Sequence, residues 1–282
     1  MLLIIIALFG CKKDSDNNPG GGSSNTSNPL CFTAEENGAK IGMGISGSVS
    51  TIPNFEYSFD KQVWTSFLPG ATVITLEKTG DKVYFRGNNP NGINYCNSLY
   101  DYDNFPYVYF KIDDNKAAVS GNIMSLIDPT CQSKTIPCKG CFFRLFDRAN
   151  ISTAPDLPAT ELTDFCYMLM FRLSNLIVAP ELPAMTMAEC CYCGMFAGCE
   201  KMIVAPELPA TSLAILCYDE IFAGCIRLNS IKVHFTDWHV DLGATSLWVA
   251  DVSQTGTFYC PSSLQKEFGW DRIPTGWTIE TF

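Results

Sequence analysis

The sequence predicts a mixed fold: an N-terminal all-β, sandwich-like domain, then a short solenoid of repeats closed by a C-terminal cap. Three observations lead there. Cys141, Cys166, Cys191 and Cys217 recur at intervals of 25, 25 and 26, and Phe146, Phe171, Phe196 and Phe222 keep the same intervals. A fixed period of roughly 20–50 residues marks units that cannot bury an apolar face alone and stack on their neighbours. Upstream of the repeats, short alternating segments are separated by Gly, Asn, Asp and Pro, which is the pattern of a small antiparallel β-domain. Downstream, the period survives past Ile231 but the motif decays, as expected where an open stack must cover its last apolar face.

Taken in order, residues 1–10 are expected to form a lipoprotein signal peptide. Met1 to Phe9 is an almost unbroken apolar run. It is far shorter than the about 20 residues that span a bilayer, and it suits the apolar part of a secretory signal. Leu8-Phe9-Gly10-Cys11 resembles a bacterial lipobox, which implies lipidation at Cys11 and membrane attachment through a lipid anchor only. Residues 11–30 are expected to be a flexible tether. They are rich in Asn, Ser and Gly, with Gly20-Gly21-Gly22 at the middle, and such a coil of about 18 residues reaches roughly 25 Å end to end.

Residues 31–127 make the β-domain. Phe55 to Phe59, Val73 to Leu76, Val83 to Phe85 and Tyr107 to Ile112 alternate or run apolar as strands do, and Glu77 to Lys82 reads as a hairpin turn between two of them. Trp64, Tyr100 and Tyr102 are candidate aromatics for a carbohydrate face, although residues of this type more often cover a small core.

Residues 128–240 make the repeats. If equivalent residues stack about one strand spacing apart, roughly 4.8 Å, the Cys, Met/Ile, Phe and Leu columns become buried ladders. The aliphatic column is Ile151, Leu176, Met202 and Leu228. Each Ala-Pro-(Asp/Glu)-Leu-Pro-Ala carries two prolines, which remove backbone donors and fix φ, so it reads as a rigid corner with little strand. Residues 241–282 are the expected cap.

Leu-Pro-Ala-x-x-Leu-x-x-x-Cys-Tyr-x-x-(Met/Ile)-Phe-x-Gly-Cys-x-x-Leu resembles the BspA-like leucine-rich repeat of Bacteroides-type surface lipoproteins. Cys191–Met202 and Cys217–Leu228 fit best, while the copy at Cys166 has Arg172-Leu173-Ser174 in place of Gly-Cys. Gly121 to Leu126 and Thr257 to Trp277 carry the same likeness, and Lys12 to Asp16 looks like the charged tag that exports such lipoproteins. The resemblance implies a BspA-type leucine-rich-repeat solenoid on an outer-membrane, cell-surface lipoprotein. It also implies adhesion to a host or matrix protein, and it supplies no catalytic residue and no cofactor.

Chemistry read directly from the residues agrees with a non-enzymatic role. Net charge is −10, from 29 acidic and 19 basic residues, and a surface of that sign repels nucleic acid. No nucleophile-elbow, zinc-protease or phosphate-loop motif is present. Cys138-x-x-Cys141 and Cys190-x-x-Cys193 offer four thiolates of the kind zinc favours. Because Cys141 and Cys191 already belong to a ladder, where cysteine acts as a small buried hydrophobe, no metal is expected. Ladder thiols are expected reduced, and Cys131 with Cys138 is a more plausible disulfide pair than any two ladder neighbours. His234 and His239, five apart, fit no helical metal face.

Two features are candidates for binding. Asp156, Glu181 and Glu207 would stack into an acidic row, either a solubility stripe or a site for a cation or basic partner. Ile177, Val178, Ile203 and Val204 occupy variable positions at the edge of the repeats, and an exposed residue from each pair would mark an interface. The expected function is thus binding of a host or matrix macromolecule through the repeats. The alternative is glycan binding by the β-domain within a nutrient-uptake system.

Overall fold

The computed structural model describes residues 28–112 and 114–282, without the side chains of Tyr102 and Val240. The expected signal peptide, Cys11 and nearly all of the tether lie outside the described residues. Five strands, β1 (Leu30–Ala34), β3 (Phe55–Ser58), β4 (Thr65–Phe67), β6 (Lys82–Gly87) and β8 (Ala117–Ser120), form an antiparallel sheet in the order β4-β3-β6-β1-β8. Three more, β2 (Ala39–Ser46), β5 (Val73–Leu76) and β7 (Tyr107–Lys111), form a second antiparallel sheet in the order β5-β2-β7. The alternation of their side chains makes one face apolar on each sheet. The two faces meet through Phe32 on β1 and Phe110 on β7, with ring centroids 4.8 Å apart, and through Phe85 and Phe110 at 5.4 Å.

The hairpin expected at Glu77–Lys82 does not form. β5 pairs with β2 while β6 pairs with β1 and β3, so this turn carries the chain from one sheet to the other. A two-residue-period pattern fixes which side chains point inward, not which strand is the partner.

The expected leucine-rich-repeat solenoid with a C-terminal cap is also corrected. The protein is nearly all β, 25% strand and 3% helix, and the strands are gathered in sheets rather than recurring once per repeat. The motif-bearing segments 139–148, 164–173, 189–198 and 215–224 are instead runs of consecutive turns. Every fourth residue has left-handed φ, as at Gly140, Arg144 and Arg148, Phe165, Leu169 and Leu173, and Cys190, Gly194 and Gly198. Alternate N–H groups divide their bonds. Phe143, Leu145 and Asp147 donate three residues back within the run, whereas Phe142, Arg144 and Phe146 donate to Cys166, Met168 and Met170 of the next run at 2.8–3.1 Å. The backbone is therefore satisfied without strand or helix. The paired prolines of the corner segments leave only isolated bridges, such as Thr153 with Val178 and Val204 with Ser230.

The side-chain columns do align. Phe146, Phe171, Phe196 and Phe222 stack with centroids 5.4, 5.8 and 6.0 Å apart and planes within 10°. A second column, Phe142, Tyr167, Tyr192 and Tyr218, runs beside them at 5.4–6.0 Å. These spacings exceed the expected strand spacing because rings prefer offset stacking. The column begins inside the β-domain, since Phe110 stacks on Phe146 at 5.1 Å. It ends at Trp248, tilted 46° and 6.3 Å from Phe222. One continuous core thus runs from Leu30 to Trp277. Where a cap was expected, a further turn run at 243–251 leads to a parallel sheet of β9 (Ser230–Lys232), β10 (Thr257–Cys260) and β11 (Thr278–Thr281).

Candidate binding face

Ile177, Val178, Ile203 and Val204 stand on adjacent turns. Ile177 N–H donates to Ser152 O at 2.9 Å, and Ile203 O accepts from Asn229 N–H at 2.9 Å. In a regular strand one residue of each pair would turn inward. Here the segment makes only single bridges before the proline corner, and all four side chains are exposed, at 40, 61, 36 and 56%. The preceding turn breaks the apolar character, because Ser152 is buried and the hydroxyl of Thr153 donates to Val119 O while accepting from Val119 N–H.

The chain passes from this patch straight into a groove that the sequence reading missed, having taken the prolines only as rigid corners. The groove has a volume of about 330 Å³ and is walled by Pro180, Pro183, Pro206 and Pro209 over Leu182. Proline rings supply apolar walls without N–H groups that would have to be solvated. Glu181 and Glu207 line the same groove.

The acidic row is more divided than its sequence suggests. Asp156, Glu181 and Glu207 are all exposed, but Glu207 is engaged by the following row, where Lys232 Nζ lies 2.8 Å away and His234 Nε2 also contacts it. The Lys232 hydrogen bond first, and His234 second, hold the Glu207 carboxyl below its ordinary pKa. Asp156 joins Asn122 across a parallel bridge, so its backbone is fixed to the β-domain side.

Of the candidate carbohydrate aromatics, Trp64 and Tyr100 do not form a platform together. Arg86 covers the Trp64 ring at 4.1 Å while pairing with Glu56, and Tyr100 stands alone at 95% exposure. The side chain of Tyr102 lies outside the described residues.

All thirteen described cysteines are free thiols, twelve buried and Cys138 half-buried, so Cys131 and Cys138 are not bonded to each other. Among the described residues no group of three His, Cys, Asp or Glu could hold a metal ion. Burial raises Cys199 and Cys217 to about 12. Cys138 moves the other way, because the hydrogen bond from Cys141 lowers it.

Compared with known proteins, the chain matches no family model, no curated protein and no solved structure.

Proposed function

We propose that this is a non-enzymatic, lipid-anchored cell-surface protein that binds a host or matrix macromolecule through the face built by Ile177, Val178, Ile203 and Val204. The single observation that carries the reading is the simultaneous exposure of these four aliphatic side chains on neighbouring turns. Isolated exposed aliphatics are ordinary on a protein surface, but a contiguous patch is characteristic of an interface. The adjoining groove bears Glu181, while Glu207 is already met by Lys232 and His234, so the matching partner is a protein segment with apolar side chains and a Lys or Arg placed to reach Glu181. Surface attachment rests on the Leu8-Phe9-Gly10-Cys11 motif and the coil after it. The glycan reading based on Trp64 is weaker, because Arg86 occupies that ring face.

The test is an array of host and matrix proteins and glycans probed with the full chain and with a Val178→Glu/Val204→Glu variant. A protein ligand whose binding falls at least tenfold in the variant, with thermal stability unchanged, supports the proposal. Equal binding by the two forms overturns it, as does binding to glycans alone.

A further inference from the structure

A cleft of about 530 Å³ lies where β7 meets the first turn run, lined by Tyr107, Tyr109, Lys111, Arg144, Arg148 and Arg172 among others. Its place follows from the fold: Phe110 N–H donates to Leu145 O at 2.8 Å, which brings the edge of the second sheet against the turns. Arg144 and Arg148 sit four apart at consecutive left-handed positions, φ 54 and 61, and so emerge on one side of the run. Arg148 N–H donates to Arg172 O at 2.7 Å, which sets the third guanidinium on the neighbouring turn.

Two of these cations are held in place by side-chain bonds. Arg172 makes a two-pronged bond to Asp147 at 3.0 and 2.8 Å. Arg144, only 6% exposed, donates to Asp103 at 2.9 Å and to the Tyr107 hydroxyl at 3.3 Å. Arg148 is exposed, and its side chain makes no hydrogen bond or ion pair among the described residues. Among the lining residues, three arginines and Lys111 outnumber Asp103 and Asp147, so the cleft is locally positive on a chain whose net charge is −10. That overall charge opposes a long polyanion but not a single anionic group held in a local positive field. Beside the arginines, Tyr109 lies flat over β2: a Cβ at Gly44 would sit 2.4 Å from its ring. Tyr107 stands 5.6 Å away. A guanidinium with open donors fits a carboxylate or sulfate. A phenol ring fits the C–H face of a sugar, whose hydroxyls would donate to Asp103 and Asp147. The volume falls within the roughly 300–1,000 Å³ of small-ligand pockets.

We infer that the cleft between Tyr109 and Arg148 binds an acidic sugar unit, with Arg148 as the residue that meets its anionic group. The test is calorimetric titration of the full chain with trigalacturonate, with a sulfated galactotriose and with neutral galactotriose. Binding of one or both acidic trisaccharides, at least tenfold tighter than the neutral one, is expected; which of the two binds identifies carboxylate or sulfate. Arg148→Asn, a substitution suited to left-handed φ, should weaken that binding at least tenfold, and Arg148→Lys should weaken it less. Absence of heat from both acidic probes overturns the inference. So does equal affinity for the neutral sugar, or wild-type affinity in Arg148→Asn.

Discussion

At the residue scale, Asp219 shows how a repeat position acquires chemistry from its neighbours. It occupies the column of Phe143, Met168 and Cys193 and is buried there, accepting a hydrogen bond from the Cys193 thiol at 3.5 Å. Burial, chiefly, raises its pKa from 3.8 to about 6. A carboxyl with a raised folded pKa favours the native state in its protonated form. Its contribution is fully present below pH 3.8 and is lost as pH rises through about 6. Asp219→Asn is therefore expected to match the native protein near pH 4 and to be about 1–3 kcal/mol more stable at pH 8. Urea unfolding at the two pH values reads this directly, and an equal difference at both would refute it. Nothing local in the sequence distinguishes this buried carboxylate from the solvated one beside it at Glu220.

At the element scale, the turn run depends on a left-handed residue every fourth position. Gly198 and Gly224, φ 71 and 72, occupy equivalent places, and Leu173 fills that place one turn earlier at φ 56. An L-residue in this conformation costs roughly 1–2 kcal/mol. At Gly198 a new Cβ would also come 2.4 Å from Leu173 Cδ2, a flexible contact that can yield. Gly198→Ala is expected to lower stability by about 1–2 kcal/mol, measurable as a reduced midpoint in denaturant. Little or no change would mean that the run tolerates a right-handed residue there. The glycines are visible in the sequence, but Leu, Arg and Phe at matching positions hide the period-four rule. Only the hydrogen bonding between turns forces those residues into it.

At the scale of the whole molecule, one core links the β-domain to the repeats, and thiol chemistry reports on its integrity. Cys141, Cys166, Cys191 and Cys217 are fully buried, and burial pushes their thiols up, so they are poor nucleophiles. Cys138 is half-buried and lowered by its bond from Cys141. With a disulfide reagent at pH 8, Cys138 is expected to react well before the other described cysteines, which become available only on unfolding. Mass mapping that finds ladder cysteines modified as fast as Cys138 would show that the stack opens in the native state.

The aromatic and cysteine columns and the strands β3, β5, β6 and β7 were legible because period and alternation are local properties of the chain. The apolar identity of Ile177, Val178, Ile203 and Val204 was legible too, but their joint exposure was not. It depends on a corner that makes single bridges instead of a strand, which the prolines suggest and only the neighbouring turns decide. Strand partners, the turn runs that replace a leucine-rich-repeat solenoid, and the Arg-Tyr cleft were set by tertiary structure alone. The reason is physical: sequence period fixes which side chains share a column, whereas partner choice and cavity shape come from how separate segments satisfy one another's hydrogen bonds.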